Sequence, residues 1–231
     1  MIENYHLDEF GVIHQTVCKP KVYDREYLSY YEGLHERTIK LGYQRLGWVL
    51  GLLRRLPDSV FEIGYGMGTF LEAAALAGVP YCAGYDVARY PLPDGCAFVD
   101  WQAALGRTWD LTVLFDVLEH IPDLSFLSCL RTSALAVTVP YCRWRERGDD
   151  WFRGWRMRLP DEHLHHFDPD SLCKLMAHHG YRCTDLNTFE GGLRLREGET
   201  GPNIFCAFFE CSTKVQSQIE TKVGRAGSFP A

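Results

Sequence analysis

The chain has no run approaching the roughly 18 apolar residues that a membrane-spanning helix needs. Its first ten residues, MIENYHLDEF, are acidic and lack an apolar stretch, so no secretory signal and no membrane partner is expected. Nine cysteines are scattered without a single C-x-x-C pair, which argues against a disulfide framework and against a structural zinc knuckle. A reduced, cytoplasmic setting is the expectation that follows. Positive charge is also short: 24 Lys and Arg face 30 Asp and Glu, for a net charge of -6. An acidic chain is a poor non-specific binder of nucleic acid, although a local basic patch is still open to it. There is no internal repeat and no long low-complexity run. What is present is a globular composition: 231 residues, 46% hydrophobic and 13% aromatic, enough for one domain with a full core and a small extra element.

Residues 1–22 show no period and read as an irregular arm. Residues 24–56 read as helical, with Leu46, Val49, Leu50 and Leu53 on one face and Pro57-Asp58 as the stop. Strands and helices then alternate. SVFEI, YCAGYD, CAFVD, WDLTVLFD and ALAVTVP read as strands, and TFLEAAALA, LSFLSCLRTS and DPDSLCKLMAHHG as helices. The last helix has Asp168 as N-cap and Pro169 at its first position. YRCTDLNTF and NIFCAFFECS read as a closing strand pair around a charged, glycine-rich loop. This alternation predicts an α/β fold: a Rossmann-like three-layer sandwich with a mostly parallel seven-stranded sheet and an antiparallel closing strand. The organisation is then an arm and helical lid over 1–56, the α/β domain over 57–211, and a polar tail over 212–231.

Ligands of such sheets sit beyond the carboxyl ends of the strands. The run Glu62-Ile-Gly64-Tyr65-Gly66-Met-Gly68 falls at one, between the first of these strands and a helix. Glycines there let the backbone approach a ligand and open the helix N-terminus to it. Asp86 ends the next strand, where an acid accepts hydrogen bonds from ribose hydroxyls. Asp100 ends the third and precedes Trp101, an acid and a ring cover suited to adenine. The competing reading of both acids is ordinary helix capping.

VFEIGYGMGTFL, Asp86, FVDW and LFDVLEHIPD together resemble class I S-adenosylmethionine-dependent methyltransferases, in the broad group with a D-V-L-E-H block after the fourth of these strands. VTVPY, HLHHFDPDSL and the following His-Gly-Tyr extend the likeness over roughly residues 58–188. The resemblance implies S-adenosylmethionine as cofactor. Glu62 and the Gly64–Gly68 turn, Tyr65 included, would hold its methionine end, Asp86 its ribose, and Asp100 with Trp101 its adenine. Asp116 is expected to contact it too. An E-x-G-x-G-x-G pattern, rather than G-x-G-x-x-G, makes a nicotinamide oxidoreductase the weaker reading.

Asp116, Glu119 and His120 share one face of a helical turn and suit a divalent cation, or a base with its orienter. This block and the later histidines resemble the metal set of small-RNA 3′-terminal ribose methyltransferases, which implies Asp116, Glu119, His120 and His165 as ligands, with magnesium as the ion. Ubiquinone-type O-methyltransferases share the acid–acid–His block. If a base is used, His120, His163 or His166 is the candidate. The segment from Arg143 to Arg158 sits where a substrate lid would sit. Arg143 could grip an anionic group, and Trp144, Trp151 and Trp155 could cover a ring. Tyr27, Tyr30 and Tyr31 are candidates for an N-terminal lid. The sequence lacks the Asn/Asp-Pro-Pro-aromatic run of amino-methylating DNA enzymes and any Pro-Cys nucleophile. The expected function is therefore O-methylation of a small metabolite. The alternatives are metal-assisted ribose 2′-O-methylation of nucleic acid and a non-catalytic cofactor-binding protein.

Overall fold

A computed structural model describes residues 2–17, 21, 23, 33, 35–194 and 201–212, without the side chains of His35 and Arg37. Its elements, in chain order, are β1 (Tyr5–Leu7), β2 (Ile13–Gln15), α1 (His35–Leu53), β3 (Ser59–Ile63), α2 (Thr69–Leu76), β4 (Tyr81–Tyr85), β5 (Cys96–Phe98) and α3 (Trp101–Gly106). There follow β6 (Thr108–Phe115), β7 (Arg131–Pro140), α4 (Trp144–Gly154), β8 (His165–His166), α5 (Pro169–His178), β9 (Tyr181–Asn187), α6 (Phe189–Leu193) and β10 (Ile204–Cys211).

Seven strands form one sheet in the order β5-β4-β3-β6-β7-β10-β9. The pairs among β3 to β7 are parallel, and β10 runs antiparallel between β7 and β9. This is the expected Rossmann-like sheet. Its central strands are largely apolar because both faces are covered. Along β3, Val60 packs with Leu46, Val49 and Phe70 on the α1/α2 face, while Phe61 packs with Trp109, Leu172 and Met176 on the other. The period-2 alternation of a strand divides its residues between two cores in this way.

Helix α5 starts as its sequence requires. Asp168 accepts from Ser171 N at 2.7 Å, the Ser171 hydroxyl returns the bond, and Pro169 occupies the first turn.

Three expectations are corrected. The arm is not irregular: β1 and β2 form a hairpin, and β2 pairs with β8 to make a second, three-stranded sheet. Alternation too short to register as a pattern hid these strands, and tertiary pairing supplies what local propensity does not. The segment expected as a helix after Asp123 is only a 3-10 turn (Leu124–Ser128), because Arg131 already enters β7 opposite Thr108. Helix α1 ends at Leu53, before Pro57, with Arg54 in the left-handed region (φ 55°). Tyr27, Tyr30 and Tyr31 lie outside the described residues. No helix among the described residues is long and apolar enough to cross a membrane.

Candidate active site

A cavity of about 1410 Å³ opens at the carboxyl ends of β3, β4 and β6. A drug-sized ligand occupies a pocket of roughly 300–1,000 Å³, so this one has room for a cofactor and a second molecule. The turn from Gly64 to Gly68 forms one wall. Gly64 has φ +70°, and a Cβ there would meet Val117 at 2.4 Å, so no side chain fits. Gly66 has φ +52° but open space where its Cβ would point, which leaves its backbone exposed to a ligand. Asp86, buried at the end of β4, accepts from Gly66 N at 3.0 Å and from Ala88 N at 2.8 Å. Each of its oxygens keeps a lone pair for a hydroxyl donor.

Glu62 lies beneath this turn, 4% exposed, and its Oε2 has no hydrogen-bond partner. Burial, only partly countered by Arg45 and reinforced by Asp86, pushes its carboxyl up to about 8. A buried carboxylate with one oxygen unpartnered fits a cationic ligand such as the ammonium end of an amino acid. Tyr65 donates its hydroxyl to the Tyr90 carbonyl and pins the loop beyond β4. Trp101 lines the cavity with Tyr85, Val87 and Phe126. Asp100 does not. Its side chain is 70% exposed and pairs with Arg89 at 3.0 Å, outside the cavity lining, so its expected adenine contact is corrected. The strand end is nearer the surface than its position in the sequence suggested.

Asp116 follows β6 with φ 58° and lines the cavity. Arg45 Nη2 from α1 reaches its Oδ2 at 2.8 Å, and Arg194 Nη1 reaches both oxygens at 2.8 Å. Burial alone would raise this carboxyl, but Arg194 and Arg45 more than offset it, so Asp116 stays ionised, held down to about 2. Arg45 and Arg194 also bind the fully buried Glu190 on α6, at 2.7 Å and 3.2 Å. Sequence reasoning missed Arg45, Glu190 and Arg194. Only the Glu190–Arg194 spacing of four is local; the contacts that bring Arg45 and Asp116 to this pair span 71 to 145 residues.

The histidines divide sharply. Glu119, His120 and His163 bring one ligand atom each within 4.8 Å of one another. His120 Nδ1 donates to the Glu162 carbonyl at 2.9 Å, and His163 Nδ1 to that of Met157 at 2.7 Å. These bonds assign the tautomers and leave both Nε2 atoms with a lone pair, the arrangement by which metal-binding histidines are oriented. Both carboxylate oxygens of Glu119, 1% exposed, lack a hydrogen-bond partner. Burial and then Asp116 raise the Glu119 carboxyl well above the usual range. Burial lowers both imidazoles, His163 to about 4 with help from His120.

The expected metal set is thus corrected at two positions. Asp116 is committed to two arginines. His165 spends Nδ1 on His14 at 2.7 Å and Nε2 on the Ile121 carbonyl at 2.8 Å. His163 precedes the strand, in a chain turned by left-handed residues Leu159 and Asp161 (φ 32° and 68°), and it points where His165 cannot. Two imidazoles with one carboxylate suit manganese, cobalt or zinc better than magnesium, which prefers oxygen donors. His166 is buried among Tyr5, Phe152 and Trp155, and both its ring nitrogens lack partners. Neither it nor His163 lines the cavity, so of the three expected bases only His120 reaches the cavity wall.

The expected substrate residues also lie elsewhere. Trp144 donates to Asp149 at 2.7 Å, and Trp151 and Trp155 stack at 5.2 Å. With Arg143, these two line a separate pocket of about 270 Å³ rather than the main cavity.

The parallel sheet, glycine turn and acid at the end of β4 define the class I methyltransferase architecture. The chain belongs to a family described as a methyltransferase domain, which matches residues 32–186. By family and fold it is an S-adenosylmethionine-dependent methyltransferase. No curated protein matches the sequence. Solved structures with the same fold include 1,6-didemethyltoxoflavin-N1-methyltransferase of Burkholderia thailandensis, 14% identical over 90% of this chain and 99% of that one, with a TM-score of 0.55. Magnesium protoporphyrin IX methyltransferase of Synechocystis PCC 6803 is 17% identical over 77% and 84%, with a TM-score of 0.54. An S-adenosylmethionine-dependent methyltransferase of Clostridium acetobutylicum is 8% identical over 81% and 98%, with a TM-score of 0.54.

Proposed function

We propose that this methyltransferase acts on a hydroxyl oxygen of a small metabolite, with His120 as the proton acceptor. The carrying observation is His120 itself. It lines the main cavity, its Nδ1–H is held by the Glu162 carbonyl, and burial keeps the ring neutral, so Nε2 is ready to take a proton. When bound, S-adenosylmethionine supplies an activated methyl group, which passes in line to the acceptor oxygen as the carbon–sulfur bond breaks. Glu62, Gly66 and Asp86 hold the cofactor at its ammonium and ribose ends. Trp101, Tyr85 and Val87 cover its ring. The Arg45–Asp116–Arg194 cluster stiffens the wall facing the acceptor and excludes water there.

A second reading rests on the orphaned Glu119 carboxylate. Glu119, His120 and His163 would hold a divalent cation, which would act as a Lewis acid on a ribose hydroxyl of nucleic acid.

The test is turnover with hydroxyl-bearing acceptors, followed by product mass. A methyl ether, lost in His120→Ala while S-adenosylhomocysteine binding is kept, supports the base reading. Activity abolished by a chelator and restored by manganese supports the cation reading. Methylation only at nitrogen or carbon would sink both.

A further inference from the structure

The three-stranded sheet of β1, β2 and β8 reaches the wall of the main cavity through one series of side chains. In the antiparallel register of β2 and β8, His14 stands directly opposite His165, so their rings share one face. His14 Nδ1 meets His165 Nδ1 at 2.7 Å, with the rings edge to face at 78°. His165 Nε2 donates to the Ile121 carbonyl at 2.8 Å. At the other end, His14 Nε2 stands 3.0 Å from Asp8 Oδ2 in the β1–β2 turn. The Asp8 carboxylate is fixed there, because its Oδ1 accepts from Phe10 N at 2.9 Å and from Val12 N at 2.8 Å.

The two ends of this series determine its protons. The Ile121 carbonyl can only accept, so His165 carries its proton on Nε2 and accepts at Nδ1. Burial, and then His14, lowers the His165 imidazole to about 4, so its ring is neutral. His14 Nδ1 must therefore donate. Asp8 Oδ2 also only accepts, so His14 Nε2 must donate as well. Closing all three contacts requires a proton on each nitrogen of His14, an imidazolium between a carboxylate and a neutral imidazole. Without the Nε2 proton, a lone pair would face Asp8. Other titratable or charged groups stand around this pair among the described residues. His6 on β1 stacks on His14 at 5.2 Å, and His166 is next along β8. Arg145 on α4 reaches Gly11 O at 3.5 Å but pairs with Asp168 at 2.7 Å, and His178 on α5 meets Phe10 at 5.0 Å.

Ile121 opens a stretch of cavity wall that continues through Pro122, Asp123, Ser125 and Phe126. Phe126 lies 5.3 Å from Trp101, so this wall backs the expected ring cover. Glu119 and His120 are held separately, by Leu164 N on the Glu119 carbonyl at 2.8 Å and by the Glu162 carbonyl on His120 Nδ1. The bond from His165 thus governs the wall after them. We propose that Asp8, His14 and His165 are positioning residues for cofactor binding: a second proton on His14 lets the N-terminal hairpin hold the 121–126 wall in place. The inference rests on the reading of the main cavity as the S-adenosylmethionine site.

The unliganded protein, labelled with 15N-histidine, is read first by its ring-nitrogen spectrum at pH 6. His14 is expected to show two N–H groups and His165 a proton on Nε2 alone. A neutral His14, or His165 protonated at Nδ1, would overturn the proposal. S-adenosylhomocysteine is then titrated by calorimetry at pH 6 and pH 8. Asp8→Asn keeps Oδ1 for Phe10 and Val12 and replaces the Oδ2 acceptor with an amide donor, which a neutral His14 satisfies. It should bind as wild type does at pH 6 and about fivefold tighter than wild type at pH 8, where wild type has lost the His14 proton. Glu62 titrates in both proteins and cancels in their ratio. His14→Phe keeps a ring beside His6 and should bind about fivefold weaker than wild type at pH 6. A ratio of Asp8→Asn to wild type that does not change with pH, or His14→Phe binding as wild type does at pH 6, would sink the positioning role. If wild type binds no S-adenosylhomocysteine, the cofactor reading falls and takes this role with it, while the spectrum still decides the protonation of His14.

Discussion

Arg45 Nη2 stands 2.8 Å from Asp116 Oδ2, and this contact ties α1 to the turn that follows β6. The guanidinium lies within 4.5 Å of the Phe115 ring and binds Glu190 as well, so one side chain from the N-terminal helix clamps two acids of the α/β domain. Replacing Arg45 with Met would leave Glu190 buried and would leave Asp116 with Arg194 alone. Breaking a buried pair from one side costs about 3–5 kcal/mol. Arg45→Met is therefore expected to lower the urea midpoint severely. The double variant Arg45→Met/Glu190→Gln should recover part of that loss, because it removes one of the stranded charges. Equal midpoints for wild type and Arg45→Met would show that the clamp contributes nothing.

Asp86 holds Gly66 N and Ala88 N, and the proposed contact with the cofactor ribose would use the same oxygens. Asp86→Ala should cost about 1–3 kcal/mol of stability through the unsatisfied amides. It should also weaken S-adenosylhomocysteine by at least tenfold. Asp100→Ala, at an exposed side chain, should change neither. Calorimetry on the two variants side by side reads this. A matching loss at Asp100 would restore the sequence-based assignment.

Glu62 carries a pH signature. Its carboxyl is held up at about 8 by burial in the folded chain, so the folded state keeps a proton that the unfolded chain releases near the usual carboxylate range. Stability then falls as pH rises from about 4.5 toward 8. Glu62→Gln should raise the thermal midpoint at pH 8 and leave it nearly unchanged at pH 4. Under the proposed ammonium contact it should also weaken S-adenosylmethionine, because glutamine cannot ionise as the ammonium group binds. A midpoint difference that does not grow with pH would contradict this.

The corrected cation set gives a direct contrast between neighbouring histidines. His163→Ala should abolish binding of manganese or zinc by the unliganded protein. His165→Ala should keep it, because both His165 nitrogens are occupied by His14 and Ile121. Calorimetry with each ion decides it. Loss in His165→Ala alone would return the ligand role to that residue.

The sheet, the glycine turn, Asp86 and the capped start of α5 were legible in the sequence because each depends on local chemistry. Apolar runs of strand length, positive-φ glycines and an Asp-Pro helix start act over a handful of residues, and their spacing can be read along the chain. Trp101 and Glu62 were legible for the same reason, being a fixed distance from a strand end. The rest depends on which distant residue arrives first. Asp116 and Glu119 are three apart and read as equivalent ligands, but Arg45 and Arg194 from two other elements claim Asp116 and leave Glu119 unpartnered. His163, His165 and His166 read as one cluster. The pairing of β2 with β8 then sends His165 to His14 and His166 into an aromatic cage, while the turn before β8 sends His163 to Glu119. The sequence by itself determined the architecture and the glycine turn and strand ends that line the main cavity. Only the tertiary structure decided which acids and histidines face one another, because that depends on contacts between segments far apart in the chain.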